Sequence, residues 1–349
     1  MIFEVLATVC FGTLCADHVL PTPRAMDAAT CETQAGDVAQ NWSANTPNHT
    51  ARDARCVALS DLGARAADVV ETAPGHFVHF GKIEDIGIGS NGDVANTGFV
   101  IGQDRVAVID SGTTRFVAEA LYLAVRQRTD KPIEWLFLTH MHPDHVLGAA
   151  VFAEAGAQVA ASALMAPALE ARADIYMASM ERLLGPKQIH ATVPILPNVG
   201  LGQARDFDLG GRVLRTMIYP TAHTNNDLTV LDLTSGTLWT GDLAFMEHTP
   251  ALDGSINGWI TVLEQLVAQS FDAVVPGHGR QLARHPDGLR PTLDYLLALR
   301  TDTRAALAKG ESLNTAIKHL GAELGQGWAL FEAFNPRNAT NAYVELEWE

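Results

Sequence analysis

The feature that most constrains this chain is Thr139-His140-Met141-His142-Pro143-Asp144-His145, which reads H-x-H-x-D-H. Four metal-binding side chains lie within six residues, directly after the apolar run Ile133-Glu134-Trp135-Leu136-Phe137-Leu138. A run this short, with aromatics in its middle, predicts a buried strand. In extended chain alternate side chains share a face, so His140 and His142 point the same way. Pro143 disfavours helical backbone at His142 and keeps that residue extended. Beyond it Val146, Leu147, Ala150 and Val151 follow helical spacing, so Asp144 and His145 sit where strand passes into helix. The change of direction aims this second pair of ligands at a point close to the first. Gly148 lets another backbone approach. A lone histidine is usually a packing residue; four ligands at this spacing after a strand make a metal site.

The chain has 349 residues, enough for one large domain or one domain with an appendage. Hydrophobic residues make up 47 % of it, which supplies an ample core. With 24 Lys and Arg against 40 Asp and Glu, the formal charge is −16. That balance argues against nucleic acid or an anionic membrane as the main partner, because phosphate contacts need clustered cations. No run is long enough to span a bilayer.

Cysteine usage divides the chain. Cys10, Cys15, Cys31 and Cys56 are its four cysteines. None lies near the motif and no C-x-x-C occurs, which disfavours a zinc ribbon. Their confinement suits a disulfide-stapled extension in an oxidising compartment. The apolar run Val5–Ala16, followed by Leu20-Pro21-Thr22-Pro23, resembles a secretory leader, although Glu4 is the only charge before it. Residues 1–20 are therefore expected to be a leader and 21–73 a cysteine-containing appendage. The protein would be periplasmic or secreted, with one disulfide among Cys15, Cys31 and Cys56; otherwise it would be cytoplasmic.

Regular patterning starts near His76 and defines the main domain, 74–349. Strands are expected at 77–80, 98–101 and 106–109, then Asp110-Ser111-Gly112 and a helix over 114–128. Residues 162–184 read as another helix, with Tyr176, Met177 and Met180 on its apolar stripe. It is either a lid over the metal pocket or ordinary core. Further on, three strands each run into a ligand flanked by small residues. Val213–Tyr219 leads to Pro220-Thr221-Ala222-His223, Leu238–Thr240 to Gly241-Asp242, and Ala273–Val275 to Pro276-Gly277-His278-Gly279. Helices are expected over 254–269, 290–309 and 312–320.

Over about residues 76–285 this order of motifs resembles the metallo-β-lactamase superfamily. The resemblance implies an α/β fold, an αββα sandwich of two mixed sheets flanked by helices, with metals at one edge of the sheets. It implies that His140, His142 and His223 bind one metal, that Asp144, His145 and His278 bind another, and that Asp242 bridges them. Asp110 would hold a ligand loop from behind. Asp at 242 makes the set more similar to glyoxalase II than to lactamases. The cysteine-bearing extension and the tail Asn338–Glu349 resemble the quinoprotein relay system zinc metallohydrolases, which implies a quinoprotein dehydrogenase as partner.

Imidazole and carboxylate ligands suit Zn²⁺, two per chain. Such a pair lowers the pKa of a shared water toward ~7, and Asp144 is the candidate to orient that water and take its proton. Asn225, Asn226 and Tyr219 are candidates to stabilise an oxyanion. The expected activity is hydrolysis of a small ester, thioester, amide or phosphodiester. Two alternatives are an iron persulfide dioxygenase with one iron per chain and a non-catalytic maturation partner of the dehydrogenase.

Overall fold

The computed structural model describes residues 1–325 and 327–349. The chain opens with β1 (Phe3–Phe11), β2 (Leu14–Leu20), α1 (Ala28–Asn45) and β3 (Thr50–Ala58). It continues through β4 (Val70–Ala73), β5 (His76–His79), β6 (Thr97–Ile101), β7 (Val106–Ile109), α2 (Arg115–Arg126) and β8 (Ile133–Phe137). The H-x-H-x-D-H motif leads into α3 (Pro143–Val146), α4 (Ala149–Glu154), β9 (Gln158–Ser162), α5 (Met165–Glu170), α6 (Ala173–Leu184) and β10 (Val199–Leu201). Next come β11 (Arg205–Asp208), β12 (Val213–Ile218), β13 (Leu228–Asp232) and β14 (Thr237–Trp239). The chain finishes with α7 (Ile256–Val267), β15 (Ala273–Val275), β16 (Ala283–Arg284), α8 (Arg290–Ala308), α9 (Leu313–Ala316) and α10 (Phe331–Leu346).

Side-chain alternation explains the layering. In β8, Trp135 and Phe137 point to one side and meet Phe207 edge-on, in a core shared with Leu214, Val230 and Trp239. Leu136, between them, points to the other side and packs with residues of α2 and α4. A strand covered on both faces needs an unbroken apolar run, which is why this one reads so clearly in sequence. The two sheets run β10-β9-β8-β7-β6-β5-β4 and β11-β12-β13-β14-β15-β16, both mixed. Leu238 and Val274 of the second sheet face α7, α8 and α10. The result is the expected αββα sandwich.

The N-terminal region departs from expectation. The run read as a leader forms β1 and β2 of a three-stranded sheet ordered β2-β1-β3, with β1 central. Val5, Ala7 and Val9 point into a small core with Trp42 of α1, while Leu6 and Val19 join the main core. Removing residues 1–20 would take away two of the three strands. The appendage boundary shifts as well, because β4 is the edge of the seven-stranded sheet. Apolar alternation looked like a continuous hydrophobic run because both faces of β1 are covered. Cys10 pairs with Cys15 across the hairpin, and Cys31 with Cys56 between α1 and β3.

This sheet is fastened to α2 by buried charges. Arg115 donates to Glu119 (2.8 Å), to both oxygens of Glu154 (2.7 Å each) and to the Val19 carbonyl (2.9 Å). Glu119 also meets His18 Nδ1 at 2.8 Å and accepts from the Val19 amide and Arg65, each at 3.2 Å. Burial opposes charge on Glu119, but His18, Arg115 and Arg65 hold it below the usual carboxylate range.

Candidate metal centre

Each ligand follows the end of a strand, and the two sheets bring those ends to one edge. The Leu228 amide donates to the Thr139 carbonyl (2.8 Å) and the Asn96 amide to that of Gly277 (2.8 Å), so the two halves are laced together there. The seven residues expected as ligands converge in two groups, His140 with His142, His223 and Asp242, and Asp144 with His145 and His278. Within each, the ligand atoms all lie within 4.8 Å of one another. Asp242 faces both. Its Oδ2 lies 3.6 Å from His140 Nε2 and 3.5 Å from His223 Nε2, while Oδ1 lies 3.1 Å from His145 Nε2 and 3.5 Å from His278 Nε2. Gly277 permits this: a Cβ there would stand 2.0 Å from Asp242 Oδ1.

The outer nitrogens fix the tautomers. His223 Nδ1 donates to the Ala251 carbonyl (2.7 Å) and His278 Nδ1 to the Val94 carbonyl (3.0 Å). Carbonyls only accept, so Nε2 of His223, and of His278 when neutral, turns a lone pair inward; burial opposes charge on His278, but Asp242 and Asp144 raise its pKa to about 9. His145 Nδ1 meets Asp110 Oδ2 at 2.8 Å. Thr139 Oγ1 donates to Asp110 Oδ2 (2.8 Å) and so accepts from His140 Nδ1 (3.0 Å). His142 is reversed, with Nε2 toward Asp253 (3.2 Å) and Nδ1 inward. Asp110 thus stands behind the candidate ligands, on backbone held at φ 56°.

These contacts fit a pair of cations. His142 Nδ1 lies 3.1 Å from His140 Nε2 and 3.0 Å from His223 Nε2. With the outer nitrogens protonated, three lone pairs converge without a proton between them. His145 Nε2 and Asp242 Oδ1 lie 3.1 Å apart without forming a hydrogen bond and, buried, have no other partner, a costly state unless something else ligates them. Burial pushes Asp242 up, but the charges of His278, His145 and His140 outweigh it and hold the carboxylate well below its ordinary range. Asp144 behaves alike: burial is overcome by His145 and His278, and its pKa falls to about 2. Burial, aided by the charge of His142, pulls His223 down to about 3 despite Asp242. The donors are the imidazoles and carboxylates that zinc takes.

Other expected residues do not join the site. Tyr219 bonds Thr229 (3.0 Å) and packs on the outer core, Asn225 is exposed, and Asn226 donates to Asn225 (2.7 Å). The expected helix over 162–184 is two helices, since Ser162 ends β9 and α5 is separate from α6. Met180 and Leu184 are buried and Tyr176 and Met177 half-buried against the main core, while Leu183 lines the metal cavity. Sequence reasoning missed Asp253, which carries no motif of its own, and the role of α10. Asn338 on α10 accepts from the Leu252 amide (2.9 Å) and donates to the Pro250 carbonyl (2.6 Å). Asn341 donates to the Leu252 carbonyl (2.5 Å). Together they clamp the segment that presents Ala251 to His223 and Asp253 to His142.

Residues 90–278, more than half of the chain, match the family model for the metallo-beta-lactamase superfamily. The protein belongs to the metallo-β-lactamase superfamily. No curated protein matches its sequence. Among solved structures the chain is similar to a metallo-beta-lactamase from Pontibacter korlensis, at 20 % identity and TM-score 0.54, over 66 % of this chain and 98 % of that one. It is similar to the stereoselective inverting sec-alkylsulfatase Pisa1 from Pseudomonas sp., at 18 % identity and TM-score 0.63, over 80 % of this chain and 50 % of that one. A metallo-beta-lactamase from Hirschia baltica aligns at 16 % identity and TM-score 0.51, over 66 % and 97 %. These likenesses concern the fold. The match is to the superfamily, not to the quinoprotein relay family within it, and α10 lies outside the matched residues.

Proposed function

We propose that this superfamily member is a dinuclear zinc hydrolase acting on a small ester, thioester, amide or phosphodiester. The observation that carries the reading is Asp242, whose two oxygens face different ligand groups from one buried position. His140, His142 and His223 would hold one zinc, Asp144, His145 and His278 the other, with Asp242 shared. A zinc pair supplies Lewis acidity toward a carbonyl or phosphoryl oxygen and brings a water's pKa toward ~7. The protein's own residues do the rest. The carbonyls of Ala251 and Val94, with Asp110, Thr139 and Asp253, keep five imidazoles oriented. Asp144 is a carboxylate at neutral pH and accepts a proton from the attacking water. Packed aromatic rings around His223 and His278 keep bulk solvent from the ligands.

Elemental analysis of protein purified without added metal should give two zincs per chain. Asp242→Asn keeps the volume and removes the charge; it should lower the content to about one and cut hydrolysis of ester, thioester and phosphodiester probes by roughly three orders of magnitude. One iron per chain would replace this reading with the dioxygenase. Two tightly held zincs in Asp242→Asn with normal turnover would remove the bridging role. Export to an oxidising compartment belongs to the same proposal and is supported by the two cysteine pairs. Protein from the native host should resist thiol alkylation until reduced; four free thiols would refute export.

A further inference from the structure

The cavity that opens onto the ligands has a volume of about 300 Å³. Its walls include Glu84 and Asp85 from the loop after β5, Leu183 from α6, and Phe334 and Arg337 from α10. A chain of rings leads outward from the centre. His248 lies 4.9 Å from the His278 ring, Phe334 lies 4.9 Å from His248, and the Arg337 guanidinium sits 5.9 Å over Phe334. His248 Nδ1 donates to the Thr249 carbonyl (2.7 Å), which fixes that ring within the wall. Arg337 is exposed and, among the described residues, pairs with no carboxylate. It is also the one Lys or Arg side chain of the lining among those residues. The other charged lining residues outside the ligand set, Glu84 and Asp85, are acids.

We infer that Arg337 binds an anionic group, a carboxylate or similar oxyanion, at the end of the substrate remote from the scissile bond. The substrates are then small acids with an apolar body. This rests on the hydrolase reading and adds the substrate class to it. A guanidinium offers a planar pair of donors that matches a carboxylate. Stacking on Phe334 restricts where that pair points. The rings of Phe334 and His248 offer flat apolar contact between the anion and the scissile bond. Glu84 and Asp85 repel an anion, so the substrate enters in one orientation.

Isothermal titration of the protein as purified, with phenylacetate and with its uncharged counterpart phenylacetamide, tests this directly. The acid should bind about tenfold tighter than the amide, since a charged hydrogen bond is worth about 1.5 kcal/mol or more. Arg337→Gln should erase the difference by weakening the acid alone, and Arg337→Lys should keep part of it. Equal binding of the two, binding of neither, or a preference that survives Arg337→Gln would overturn the inference. Turnover separates it from the parent reading. With 4-nitrophenyl acetate and 4-nitrophenyl hemisuccinate, Arg337→Gln should raise KM about tenfold for the charged ester only, at unchanged kcat. Hydrolysis of neither ester beside the expected titration would sink the hydrolase reading and leave the anion site. Hydrolysis of both without dependence on Arg337 would do the reverse.

Discussion

The appendage seam and the metal centre both bury several charges, yet they treat them in opposite ways. At the seam every polar atom of the Arg115–Glu119–Glu154 group meets a partner of opposite charge or a backbone carbonyl or amide. At the centre the outward nitrogens are satisfied while His145 Nε2 and Asp242 Oδ1 are left without partners. A buried charge group that closes on itself fastens structure. One that is orderly on the outside and incomplete on the inside is arranged around a visitor.

The largest effect should come from breaking the closed group. Arg115→Met strands Glu119 and Glu154 and should cost about 3–5 kcal/mol, lowering Tm by roughly 10 °C with metal content unchanged. By contrast, Asp242→Asn in metal-stripped protein should lower Tm by less, since Oδ1 has no hydrogen bond to lose and only the attraction of His278, His145 and His140 is given up. Calorimetry on both variants checks the comparison; equal losses would erase it.

Glu4 is the exception on the appendage side, with Oε1 buried and unpartnered. Burial raises its pKa to about 7, against the opposing pull of Arg126 and the Tyr122 hydroxyl. Because the folded pKa lies above the unfolded one, its stabilising effect is complete below about pH 4.5 and is lost as pH rises through 7. Glu4→Gln should therefore raise stability at pH 8 by at most about 3 kcal/mol, at about 1.4 kcal/mol per pKa unit, and change nothing at pH 4. Melting curves at the two pH values decide it.

The smallest effect belongs to the outer ring of the centre. Asp253→Asn leaves His142 a weaker orienting partner and should reduce zinc affinity about tenfold, read by competition with a chelator, with little change in Tm. An unchanged affinity would make Asp253 a bystander.

What could be read from the sequence followed local spacing. The sandwich was legible because doubly covered strands such as β8 need continuous apolar runs, and the candidate ligands were legible because each comes after the end of a strand. Asp110 showed itself in the same way, after β7. Asp253 and Asn338 were not legible: they act on His142 and on the Pro250 and Leu252 backbone across long separations, and no periodicity marks such contacts. The N-terminal run is ambiguous for a related reason. A strand buried on both faces and an export segment share composition, and only the pairing of β1 with β3 tells them apart. The 162–184 stretch was split by a turn at Ala171-Arg172 that carries neither Gly nor Pro.

The grip of α10 on residues 250–252 also has a temporal side. This helix comes after all seven candidate ligands in the chain, and until it docks, neither the Ala251 carbonyl nor Asp253 is held where the first group of histidines needs it. A growing chain would carry all seven ligands well before it could grasp an ion firmly. Firm metal uptake would then wait on the docking of α10.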